Sequence, residues 1–131
     1  MSIVLATALA LVLAVPLDLA IEAFARQAFA VPPEFEPFHG TVAPYTAGGL
    51  ILAGAAFAVV RRFARDPVRA YVRIAIVALV LSWIPDVALL FINEAGATVP
   101  AVAALMVIHA VAAAIVVTLL VRIAGSPTST A

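Results

Sequence analysis

The sequence predicts an all-α polytopic membrane protein, a four-transmembrane-helix bundle with both termini cytoplasmic. Three observations carry that expectation. Of 131 residues, 66% are hydrophobic and only 11% charged, and the mean hydropathy is +1.25, far from the globular norm of about half apolar and about a quarter charged. Four apolar segments, at about residues 3–27, 44–62, 70–92 and 99–122, have the length of roughly 20 residues that crosses a hydrocarbon core. The net charge of zero hides an asymmetry: Arg61, Arg62, Arg65, Arg69 and Arg73 crowd one connector, which the positive-inside rule assigns to the cytoplasm.

The first segment is N-terminal and alanine-rich but has no charged n-region, and its apolar run is longer than that of a secretory leader, so it reads as the first span. The connector after it, residues 28–43, holds three prolines and three phenylalanines. It is too apolar for a freely solvated linker and is expected to lie along the outer surface of the bundle as a lid, or merely to shield helix ends. In the second segment, TAGGLILAGAAFA places Gly49 and Ala53 at the small-xxx-small spacing that lets membrane helices approach closely. Asp66-Pro67 reads as an N-cap with proline at the first helical position of the third segment, and Thr98 stands just before Pro100 at the start of the fourth. Tyr45 and Tyr71 fall near opposite ends, as interfacial anchors do. The two connectors opposite the arginines hold Glu34, Glu36 and Glu94, and Arg122 ends the fourth segment on the cytoplasmic side. The arginines themselves are explained by topology and by anionic lipid headgroups. A single domain fills the chain. Basic residues that are all Arg, with abundant Ala, Val and Pro, suggest a GC-rich bacterial genome, and hence a multi-pass protein of the bacterial cytoplasmic (plasma) membrane.

Where the second segment, the arginine-rich hairpin and the third segment meet, RRFARDPVRAYVRIAIVALVLSWIPDVALL resembles an uncharacterised family of small four-helix membrane proteins from actinobacteria and their relatives, and LMVIHAVAAAIVVTLL in the fourth segment is similar to it as well. The resemblance implies the four-span fold. It implies no activity, ligand or catalytic residue, so function has to be argued from the residues themselves.

Charged groups near the bilayer centre cost roughly 2.5–3.5 kcal/mol each on insertion scales and therefore face the bundle interior or water. At about 1.5 Å of rise per residue, Asp18 lies roughly 22 Å above the cytoplasmic boundary and Glu22 roughly 28 Å. By the same rise Asp86 lies about 24 Å up the third helix, level with Asp18, and His109 lies about 15 Å below the outer boundary. Asp18, Glu22 and Arg26 share one helix face. Glu22 preceding Arg26 is the favourable order for an interfacial ion pair, whereas Asp18 beside Glu22 is a like-charge contact. A protonated carboxyl, a cationic His109 or a bound ion would relieve it. Pro16 and Pro85 each stand close to an aspartate and each remove one backbone bond. They either improve packing or widen the outer half into a cavity lined by Asp18, Glu22, Asp86 and His109, with Ser82, Trp83 and Thr46 able to line the same space.

The leading expectation is a bundle of unknown activity whose outer-half polar cavity binds a lipophilic small molecule or couples to protons. Two alternatives stay open: a non-catalytic accessory or oligomerising subunit, and an intramembrane enzyme using carboxylate and histidine as acid and base. Without cysteine, thiolate chemistry and cysteine-ligated metals are excluded. No cofactor and no metal site is expected, since Asp18, Asp86 and His109 lack any recognised metal spacing. The expected partners are the bilayer and a second copy or another membrane protein, with no nucleic acid.

Overall fold

The computed structural model describes residues 1–125. Among them are four α-helices, α1 (Ile3–Ala28), α2 (Val42–Phe63), α3 (Pro67–Ala88) and α4 (Val99–Gly125), a single 3-10 turn (Glu36–Phe38) and no strand. All four helices are long and apolar enough to cross a membrane. Successive helices run in opposite directions, so the bundle has an arginine end, at the α2–α3 connector, and an acidic end, at the connectors following α1 and α3. The contacts are uneven: α1 packs most extensively on α4 and α2, and α3 joins the bundle through α4 and α2.

Local chemistry sets the helix ends. Ser2 accepts a bond from the Leu5 amide at the start of α1, Asp66 accepts one from the Arg69 amide ahead of Pro67, and Thr98 accepts one from the Ala101 amide. Each satisfies an amide that the first helical turn would leave without a partner. The apolar run of the third segment continues to residue 92, but α3 closes at Ala88. There Leu89, Leu90 and Phe91 donate to carbonyls three residues back, a tightening into 3-10 geometry, and Asn93 at φ 54° and Gly96 at φ 75° reverse the chain.

The interior falls into two apolar clusters. Ala6, Ala10 and Ala14 of α1 meet Leu50, Phe57, Tyr71, Val116 and Leu120 at the arginine end. At the acidic end Ala25 meets Phe35, Phe38, Val42, Ala101, Ala104 and Ile108. The connector following α1 is anchored in the bundle by its aromatic side chains. Phe35 and Phe38 are fully buried within it, edge to face with ring centroids 5.1 Å apart.

Two small-scale expectations need correcting. Tyr71 is not an interfacial anchor: it is buried, stacks edge-on against Phe57 with centroids 4.9 Å apart, and donates its hydroxyl to the Ala53 carbonyl at 3.1 Å, clamping α3 to α2. Nor does Gly49 mark the close helix approach, because a methyl group there would meet nothing within 4 Å. The tight approach is at Gly54, where an added Cβ would stand 2.4 Å from the Thr7 hydroxyl of α1.

Gly96 is constrained twice. Its φ of 75° disfavours any L side chain, and an added Cβ would stand 2.7 Å from the Phe35 backbone nitrogen. Gly96→Ala is expected to cost about 2–3 kcal/mol, the sum of left-handed strain and overpacking, read as a lower unfolding midpoint in mixed micelles. The same change at Gly49 should be neutral or stabilising.

Candidate functional site

Between the two apolar clusters lies a polar layer, and it is built by register. Asp18 stands between Ala14 and Ala25, Thr46 between Val42 and Leu50, and His109 between Ile108 and Val116, each flanked along its own helix by members of both clusters. Ala6, Ala10, Ala14 and Asp18 are all buried and spaced by four, so they share one stripe that turns Asp18 inward.

In the layer, the Thr46 hydroxyl donates to Oδ2 of Asp18 at 2.8 Å, joining α2 to α1. Oδ1 of Asp18 is buried without a partner. On the other side, Nδ1 of His109 lies 2.8 Å from Oδ2 of Asp86, joining α4 to α3. The two atoms stand at ion-pair distance without forming a hydrogen bond. The Asp86 side chain is 9% exposed, that of His109 38%. Asp86 and His109 meet directly, whereas the hydrogen-bond partner of Asp18 is Thr46.

A cleft of about 900 Å³ runs along α2 and α3, with α4 contributing its other wall. Its size sits in the range of about 300–1,000 Å³ typical of small-molecule sites. Toward the arginine end its walls are apolar, from Leu50, Ile74, Ala75, Ala78, Val116 and Val117, closing near Tyr71. Toward the acidic end they become polar, with Thr46, Ser82, Asp86, His109, Glu36, Glu94 and Tyr45. From Tyr71 to Asp86 the cleft follows α3 for fifteen residues, roughly 22 Å.

Of the remaining candidates only Ser82 belongs to the cleft. Glu22 is paired with Arg26 at 3.0 Å, and Arg26 also donates to the Phe38 carbonyl with its guanidinium 5.5 Å over the Phe38 ring. That trio pins the connector to α1 and lies off the cleft. Trp83 donates its indole N–H to the Met106 carbonyl at 3.1 Å, packing α3 on α4, and is not a lining residue. Asp18 also sits behind the cleft wall, at the α1–α2 contact. Ser82 lines the cleft, its hydroxyl donating to the Leu79 carbonyl at 2.6 Å. Among the described residues no three His, Asp or Glu side chains come together as a set that could hold a metal ion.

Glu36, Glu94 and Tyr45 are cleft residues that sequence reasoning does not assign to the site. Their signal is present as the acidity of two connectors, but on its own it serves only to orient the chain.

The model of the Family of unknown function (DUF6069) matches residues 1–126, and the chain belongs to that family. No curated protein matches the chain, and no solved structure does.

Proposed function

We propose that this member of a family without an assigned activity is a multi-pass protein of the bacterial plasma membrane, its arginine end and both termini cytoplasmic, that binds a lipophilic small molecule in the cleft along α2 and α3. The observation that carries this reading is the pairing of a long apolar cleft with a polar end where Asp86 is buried and one of its oxygens lacks a well-directed donor. A carboxyl in that setting is costly in a membrane, and such residues mark ligand or ion pathways. The apolar length supplies affinity for a hydrocarbon body, and the polar end fixes its direction.

Gly49 gives a test that spares the fold. It lines the cleft and has open space around its Cβ position, so Gly49→Leu projects a side chain into the cleft and replaces a poor helix former with a good one. Native mass spectrometry of protein extracted in a mild non-ionic detergent should find one lipophilic species held at near-equimolar ratio on the wild type. Gly49→Leu should lose it while melting at the same or a higher temperature. Retention by both proteins, or by neither, would count against the cleft as a binding site.

A second reading is proton coupling, favoured by the approach of His109 and Asp86 to 2.8 Å between α4 and α3. It predicts proton flux in vesicles that Asp86→Asn abolishes; a wild type without flux removes it.

A further inference from the structure

The hydrogen-bond state of the cleft points to the chemistry of its occupant. Five hydroxyl-bearing residues line it: Thr41, Tyr45, Thr46, Tyr71 and Ser82. Four already donate inside the protein, Thr41 to the Pro37 carbonyl, Thr46 to Asp18, Tyr71 to the Ala53 carbonyl and Ser82 to the Leu79 carbonyl. What the polar end offers is therefore acceptors. Oδ2 of Asp86 is buried with the His109 imidazole 2.8 Å away but no hydrogen bond to it, and the carboxylates of Glu94 and of Glu36, the latter 3.7 Å from Nδ1 of His39, line the same end. Among the described residues no arginine lines the cleft, and the nearest in sequence to the acidic connector, Arg26, is engaged by Glu22 and by the Phe38 carbonyl.

A phosphate or carboxylate head would meet like charge and find few donors. A head carrying N–H groups and positive charge would meet three carboxylates, and charge-assisted hydrogen bonds of that kind are the strong ones. Resting on the lipophile-binding reading above, we propose that the cleft takes a long-chain amine, its ammonium donating to Asp86 with the charges of Glu94 and Glu36 at the same end adding attraction, and its hydrocarbon tail running along the apolar walls toward Tyr71. The tail direction follows from the walls, which lose polarity from Asp86 to Tyr71 along about 22 Å of helix. Entry is lateral, because Leu52 and Ile74 line the cleft and are also exposed on the surface of the bundle.

Three probes of equal chain length separate this inference from the broader reading: hexadecylamine, hexadecanol and palmitate, each incubated with detergent-solubilised full-length protein and read by native mass spectrometry. The amine should be retained at one per protein, about ten-fold or more above palmitate, as expected for hydrogen bonds to charged groups. Asp86→Asn and, independently, Glu94→Gln should each lower retention of the amine relative to hexadecanol. Glu94 stands on a connector outside the helices, so its variant keeps the test open if Asp86→Asn fails to fold. Palmitate held as well as the amine, or an amine preference untouched in both variants, overturns the amine assignment while a lipophile site stands. Retention of none of the three overturns the lipophile reading itself.

Discussion

Phe35→Ala is expected to lower the stability of the folded bundle by about 3–5 kcal/mol, the cost of a large-to-small change at a fully buried aromatic. The ring is fully buried, lies edge-on to Phe38, and shares its cluster with Ala25, Ala101 and Ala104, small residues that cannot collapse into the space left behind. Its backbone is also the surface against which Gly96 packs, so the two connectors of the acidic end loosen together. Equilibrium unfolding in mixed micelles measures the loss. Phe29, in the same connector but 53% exposed, is the control, and Phe29→Ala should stay within about 1 kcal/mol of wild type. Equal effects at the two positions would mean that the connector is not held in the bundle by Phe35.

That connector also marks the boundary of what the sequence makes legible. Four spans follow from hydropathy alone, because a bilayer demands about 20 apolar residues per crossing and backbone bonds satisfied within each segment. Packing inside the bundle is less legible, since lipid tails are as apolar as the core and the two faces of a spanning helix carry the same kinds of side chain. Gly49 therefore reads as a helix contact in the sequence but faces a cleft in the fold, while Gly54, five residues on, is the one that touches Thr7. The depth of Tyr71 suggests an interfacial anchor, although its hydroxyl is used inside the bundle. Polar residues carry more information because their direction is forced. The four-residue spacing of Ala6, Ala10, Ala14 and Asp18 is visible in the sequence and places Asp18 inside. The meeting of Asp86 with His109 is not visible there, because depth fixes only one coordinate and the helix rotation that brings them to 2.8 Å depends on packing.

His109→Leu should destabilise the bundle by about 1–3 kcal/mol, the cost of leaving the nearly buried Asp86 carboxyl without the group that faces it. Asp86, with a side chain 9% exposed, would lose the imidazole that faces its Oδ2. Asp86→Leu removes the carboxyl that requires a partner, and the double variant should then lose far less than the sum of the two single changes, a positive coupling that a double-mutant cycle measures directly. Additive losses would mean that the pair does not interact across α3 and α4. The Trp83 bond to the Met106 carbonyl involves neither residue of the pair and ties the same two helices together. Replacing a buried ionic pair with well-packed apolar residues is often neutral or stabilising. A double variant as stable as wild type that no longer retains hexadecylamine would therefore assign the pair to ligand recognition, because the fold alone would have no need of it.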